Sequence, residues 1–152
     1  MKILVLCHGN INRSPLCAAV LSRLGHEVLS AGFVNPDTRA SKKMRDEAAR
    51  HGYNLESHRS QLCTIELCDW AEKIVVMDGG NEARLKTLLL GSPRSFVTRL
   101  QARQVTRLGW HGSPHLDRIP DPAFLARDSF KFIETVELII ERSEILAKEL
   151  SC

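Results

Sequence analysis

Apolar positions fall in two rhythms along this chain. Ile3-Leu4-Val5-Leu6 is an unbroken apolar run, as expected of a strand buried on both faces. Val28 to Ala31 and Ile74-Val75-Val76-Met77 read the same way, and Phe96 to Leu100 predicts a fourth strand. Between these runs the spacing becomes helical. Leu16, Val20, Leu21 and Leu24 share one face after Ser14-Pro15, with Ser14 as N-cap, Pro15 in the first helical position and Gly25 as the stop. A charged helix is predicted over 40–51 and stopped by Gly52, a short one over 64–71, and another over 81–90 before Gly91-Ser92-Pro93. In the last long helix, Glu134, Glu137, Glu141 and Glu144 mark the solvated face, and Phe132, Val136, Ile139, Ile140 and Leu146 the buried one. Residues 101–120 are the least regular stretch. Strands alternating with helices predict an α/β fold: a three-layer, doubly wound, four-stranded parallel sheet with helices on both faces.

Composition narrows this picture without changing it. With 152 residues, 43% hydrophobic and 26% charged, the chain is expected to form one domain over 1–152 with a single core. A net charge of +3 suits an anionic substrate and is too mild to argue for nucleic acid or a membrane as partner. No apolar run approaches the roughly 20 residues that span a bilayer, and the opening apolar run is too short for a signal peptide. The five cysteines, Cys7, Cys17, Cys63, Cys68 and Cys152, are an odd set without metal-ligand spacing, which points to the reducing cytoplasm and to no bound metal. Arg94, Arg99, Arg103, Arg107 and Arg118 face a single acid, Asp117, between Leu89 and Pro120. That bias reads either as a solvated surface or as a docking surface for an acidic or phosphorylated partner.

The chemistry concentrates in Cys7-His8-Gly9-Asn10-Ile11-Asn12-Arg13-Ser14-Pro15. The segment joins a buried strand to a helix N-terminus, the place where parallel α/β folds bind ligands. A loop curling that way points successive backbone N–H groups into one concavity, and the helix dipole behind it favours an anion. The same potential favours a thiolate at Cys7. Arg13 closes the ring, and its planar fork can hold two phosphate oxygens. Ser14 can donate its hydroxyl proton to the sulfur, first as nucleophile and later as leaving group. This is not a nucleotide P-loop, because no Gly-Lys-Ser/Thr follows.

A thiolate nucleophile also needs a proton donor for the departing oxygen. Ile119-Pro120-Asp121-Pro122 supplies the best candidate, since two prolines fix the backbone around one carboxyl group. Taken alone, Asp-Pro is an ordinary turn. Paired with the loop, it completes a nucleophile, a clamp and an acid.

With these residues the sequence closely resembles the low-molecular-weight protein tyrosine phosphatases, which carry a Cys-x5-Arg-Ser-Pro loop near the N-terminus and an Asp-Pro before the last helix. The resemblance extends to Ser30-Ala31-Gly32, Ser57-His58-Arg59-Ser60 and Met77-Asp78. It implies metal-independent, cofactor-free hydrolysis of a phosphotyrosyl protein or another phosphomonoester, releasing inorganic phosphate through a phosphocysteine. Cys7 is then the nucleophile, Arg13 the phosphate ligand and Asp121 the general acid. Substrate contacts fall to His8, Gly9, Asn10, Ile11, Asn12, Arg13, Ser14, Phe33 and Phe124, with Asn10 bracing the loop, Ser14 activating Cys7 and His58 supporting Asn10.

The chain also departs from the pattern. Asn12 stands where many relatives place a second cysteine able to protect the nucleophile, and Cys17 lies on the following helix. Ala123 and Phe124 follow Asp121-Pro122 where one or two aromatics are usual, and Phe33 stands where a tryptophan or tyrosine is usual, which thins the expected aromatic walls. Three alternatives stay open. Arsenate reductases of this fold need two cysteines after the third strand, where this chain reads Met77-Asp78-Gly79-Gly80. Protein-arginine phosphatases typically carry threonine mid-loop, where this chain has Ile11. A non-catalytic phosphate-binding module is the third, although such modules usually lose the cysteine, arginine or acid.

Overall fold

The structure is a computed structural model and describes residues 1–91, 105–125 and 128–152. Its sheet has four parallel strands in the order β2-β1-β3-β4: β1 is Lys2–Leu6, β2 Glu27–Ala31, β3 Lys73–Val76 and β4 Val105–Arg107. The helices between and after them are α1 (Arg13–Arg23), α2 (Lys42–Arg50), α3 (Ile65–Trp70), α4 (Gly79–Leu90) and α5 (Ser129–Leu150). Short 3₁₀ turns cover Leu108–Trp110 and Pro122–Leu125.

Strand side chains alternate between faces, so β1 feeds two cores at once. Ile3, Val5 and Cys7 join Leu16, Val20 and Leu21 of α1, Met44 of α2, and Phe132, Val136 and Ile139 of α5 in one cluster. Leu4 and Leu6 join Cys68 of α3, Ile74 and Val76 of β3, and Leu85 of α4 in the other. These are the two outer layers of a doubly wound sheet. From β1 the chain winds outward through α1 to β2, then returns past β1 to β3. The strand order therefore reverses between β1 and β3, which opens a crevice beyond their C-terminal ends.

Local chemistry sets most boundaries. Gly25 (φ 98°) and Gly52 (φ 84°) sit in the left-handed region just beyond α1 and α2 and stop them. Ser41, Thr64, Asp78 and Asp128 cap α2, α3, α4 and α5 with their side chains. On α5, all four expected glutamates are exposed, and Phe132, Val136, Ile139 and Leu146 are buried, while Ile140 is only partly covered.

Two expectations change. α1 begins at Arg13, with Asn12 rather than Ser14 at the N-cap, because the Ser14 hydroxyl is engaged with the Cys7 sulfur. A strand, β4, lies inside the stretch that looked least regular, Val105-Thr106-Arg107; only Thr106 is buried, so it carries no apolar run to read. The strand expected at 96–100 lies outside the described residues, as do Arg94, Arg99 and Arg103.

Candidate active site

The crevice between β1 and β3 is floored by the loop that leaves β1. Asn10 takes φ 54°, a left-handed conformation that asparagine tolerates better than most residues. Its side chain then reaches three partners, so that each side-chain polar group is used. Nδ2 donates to Ser14 Oγ at 2.8 Å and to Ser30 Oγ at 2.9 Å, and Oδ1 accepts the Gln61 N–H at 3.0 Å. The His58 ring closes the support from outside. Its Nε2 lies 2.6 Å from the Asn10 carbonyl oxygen, which can only accept, so Nε2 carries the hydrogen. Burial lowers the pKa of His58, and that hydrogen bond opposes the shift in part. His58 therefore meets the backbone of Asn10, not its side chain.

Cys7 sits under this brace, 3% exposed. Its Sγ is 3.0 Å from Ser14 Oγ and accepts the Asn10 N–H at 3.2 Å. With the sulfur ionised, Ser14 must be the donor of that pair, since a thiolate has no proton to give. Cys17, wholly buried, has its pKa pushed up to about 12 by desolvation, with the nearby Ser143 hydroxyl pulling down and the Cys7 charge adding to the rise. It is an inert thiol at neutral pH.

Arg13, 3% exposed, is pinned by three groups. Nη1 donates to Asp78 Oδ2 at 2.8 Å and to the Ile119 carbonyl at 3.0 Å, while Nη2 lies 3.7 Å from Asp121 Oδ2. Burial raises the pKa of Asp78, but the Arg13 hydrogen bond, the Asn81 and Gly80 N–H groups and the Arg13 charge outweigh it, and the net shift is downward. Asp78 also caps α4, accepting from Asn81 N at 2.9 Å. One carboxylate thus aims the arginine and starts the helix that walls the crevice.

Asp121 arrives from far along the chain. Ile119 is fully buried and donates its N–H to the Met77 carbonyl at 2.8 Å, which ties the segment to the end of β3. Asp121 Oδ1 accepts from Ala123 N at 3.0 Å, leaving Oδ2 turned toward Arg13. A cleft of about 620 Å³ opens here, lined among others by His8, Arg13, Asp78, Asp121 and Phe124.

The remaining candidates scatter around this centre. His8 is exposed on the cleft wall; Gly9 and Ile11 are partly covered; Asn12 is buried, its Oδ1 accepting from Ser41 Oγ at 2.7 Å. Phe124 stands 87% exposed at the mouth of the cleft. Phe33 packs instead against the core cluster around Leu4 and Leu6. Sequence assigns no role to Ser30, Ser41, Gln61 or the ion pair of Asp78; Ser30 and Asp78 stand within motifs of the resemblance, and Asp78 also carries a local signal as a helix N-cap ahead of Asn81. Among the described residues, no group of three or more His, Cys, Asp or Glu side chains is placed to hold a metal ion, and no helix is long and apolar enough to cross a membrane.

Comparison with known proteins converges on one family. The model for low molecular weight phosphotyrosine protein phosphatase matches residues 2–152. The chain is 38% identical over 88 residues to the probable low molecular weight protein-tyrosine-phosphatase EpsP of Ralstonia nicotianae, covering 56% of this chain and 61% of that relative, so it spans only about three fifths of the relative's length. It is 31% identical to the protein-tyrosine-phosphatase Etp of Escherichia coli over 99% of this chain and 95% of the relative. Vibrio vulnificus Wzb, solved with benzylphosphonate, superposes with a TM-score of 0.79 at 28% identity, covering 97% of each chain. An arginine phosphatase from Geobacillus stearothermophilus also matches, in sequence and in structure.

Proposed function

Because the chain belongs to the low molecular weight phosphotyrosine protein phosphatase family, we propose that it is a cysteine-dependent phosphate-monoester hydrolase acting on phosphotyrosyl proteins, without a metal. The observation that carries this reading is the Cys7 sulfur lying within hydrogen-bond reach of Ser14 Oγ and Asn10 N at the base of the loop that Arg13 closes. In the first step the Cys7 thiolate attacks phosphorus in line with the leaving oxygen. The S–P bond forms as the P–O bond breaks, and Asp121 gives its proton to the departing alcohol or phenol. Ser14 stabilises the charge on sulfur before attack and again when sulfur leaves, and Arg13 holds the equatorial oxygens where negative charge is spread in the transition state. In the second step Asp121, now a carboxylate, takes a proton from water as it attacks phosphorus. Sulfur leaves as thiolate and inorganic phosphate departs.

Asp78 prepares this chemistry by fixing one edge of the guanidinium, so less freedom is lost when phosphate arrives. Asn10 and His58 hold the loop open in the same sense, with the left-handed turn at Asn10 stabilised by every polar group on its side chain. Cytoplasmic residence goes with this reading, since a nucleophilic thiol needs a reducing compartment.

The test is hydrolysis of p-nitrophenyl phosphate without added metal by wild type and Cys7→Ser, followed by phosphotyrosyl and phosphoarginyl peptides. Turnover by wild type that falls at least about a thousandfold in the variant is the expected result. No turnover by a folded, reduced sample overturns the hydrolase reading. Faster turnover of phosphoarginine than phosphotyrosine overturns the substrate assignment alone.

A further inference from the structure

Two arginines of the basic stretch, Arg107 and Arg118, lie among the described residues, and both line the same cleft as Arg13. Arg84, from α4, joins them there. Their circumstances differ sharply. Arg107 is engaged: Nε donates to Glu82 Oε1 at 2.7 Å, Nη1 donates to the Asp117 carbonyl at 3.2 Å, and the guanidinium lies 5.1 Å from the Trp110 ring centre. Arg13 is held by Asp78. Arg84 and Arg118 are exposed and have no hydrogen bond or ion pair to any of the described residues.

The acids of the cleft are meanwhile accounted for. Asp78 is paired with Arg13, and Asp117 accepts from Trp110 Nε1 at 3.0 Å and lies 4.0 Å from Arg107. Asp121 has its Ala123 N–H and its approach to Arg13. Arg84 and Arg118 are therefore the two arginines of the wall whose guanidinium groups no acid among the described residues engages. The space is also larger than one phosphate needs: about 620 Å³ lies within the range of roughly 300–1,000 Å³ typical of sites that take a drug-sized ligand.

We propose that Arg84 and Arg118 form a second anion subsite beside the phosphate loop, which takes an anionic side chain flanking the phosphoresidue of the substrate protein. The inference rests on the phosphatase reading and names the substrates within it: segments with acidic or additionally phosphorylated neighbours. Guanidinium groups suit either, because their fork matches carboxylate and phosphate oxygens alike. Both arginines are solvent-exposed, so the subsite acts on encounter and binding more than on the chemical step. Its signature is a salt-sensitive KM.

The experiment uses a phosphotyrosyl peptide with glutamates on both flanks, the same peptide with glutamines there, and a third with phosphoserines there. Each is assayed with wild type and with Arg84→Gln/Arg118→Gln, and the ratio of KM values within each enzyme cancels any general loss of activity. Wild type is expected to show a KM roughly five- to tenfold lower for the glutamate peptide at low salt, shrinking as salt rises. In the double variant the ratio falls to about one. The phosphoserine peptide separates the two sources: a KM below that of the glutamate peptide marks a phosphate, an equal or higher one a carboxylate. A wild type that treats the glutamate, glutamine and phosphoserine peptides alike, or a double variant that keeps the preference, overturns the subsite. Failure of wild type to hydrolyse p-nitrophenyl phosphate removes the phosphatase reading itself, a result distinct from indifference among peptides.

Discussion

At the scale of single residues, the site depends on side chains that hold the loop rather than react. Asn10 uses its whole amide in three hydrogen bonds, and His58 fastens the carbonyl of the same residue. His58 makes this support sensitive to pH. Burial lowers its pKa from the ordinary 6.5, so as pH falls through that value the unfolded chain takes up a proton before the folded chain does. Stability linked to His58 is therefore complete above 6.5 and is lost as pH falls toward the folded value. His58→Gln abolishes the titration and keeps an N–H to offer Asn10. Between about pH 7.5 and about pH 5.5, urea midpoints are expected to fall further for wild type than for the variant. Parallel losses would mean that His58 does not couple protonation to folding. The proposed nucleophile Cys7, clamp Arg13 and acid Asp121 could be picked out as candidates from sequence because each sits in a local pattern, strand–Gly–Arg–Ser–Pro or Pro–Asp–Pro. Ser30, Ser41 and Gln61 could not, because their link to the loop exists only after distant segments converge.

At the scale of elements, β2 and the segment after it act as a mould for the loop. Gly32 donates to the Gln61 carbonyl at 2.8 Å and accepts from Cys63 N at 2.7 Å, while Phe33 N–H holds the His8 carbonyl at 2.8 Å. The backbones run so close that a Cβ at Gly32 would stand 2.8 Å from the His8 oxygen and 2.9 Å from Asn10 N. Both neighbours are backbone atoms of the loop itself. Gly32→Ala is expected to displace the loop, cost about 1–3 kcal/mol of stability and lower kcat/KM on an aryl phosphate by about tenfold or more. Chemical denaturation and steady-state assay on the same preparation check both; a variant as active as wild type would show that the loop gives way without losing its geometry. Sequence marked Ser30-Ala31-Gly32 by resemblance, but the reason for the glycine is a contact between elements. The same distinction separates the legible strands from β4. β1 and β3 announce themselves by apolar runs because both faces are covered. β4 is an edge of three residues whose place is fixed by pairing with β3 and by the Arg107–Glu82 ion pair, neither of which leaves an apolar pattern.

At the scale of the molecule, α5 closes the layer that backs the Cys7–Arg13 loop, and its least expected member decides how firmly. Arg142 is 1% exposed on a buried face that it shares with Phe132, Val136, Ile139, Leu146 and Ala147 and with the small polar residues Thr135 and Ser143. Its Nη1 donates to the Gly109 carbonyl at 2.9 Å, which joins α5 to the turn after β4, and its Nε has no hydrogen-bond partner among the described residues. Among the described residues the charge has one hydrogen bond and a single acid, the exposed Glu141, at 4.0 Å from Nε, while the long apolar stem fills core space. Gly109 would keep a donor if the arginine were removed, since Leu116 N also donates to that carbonyl at 2.8 Å. Two substitutions therefore separate charge from volume. Arg142→Met keeps the stem and discards an ill-paired buried charge, so its stability is expected within about 1 kcal/mol of wild type. Arg142→Ala opens a cavity between α5 and the Gly109 turn and is expected to cost about 2–4 kcal/mol. Neither touches the loop, so kcat per folded molecule stays within about twofold in both. If methionine proves as damaging as alanine, the hydrogen bond to Gly109 rather than the packed stem is what fastens the last helix to the sheet.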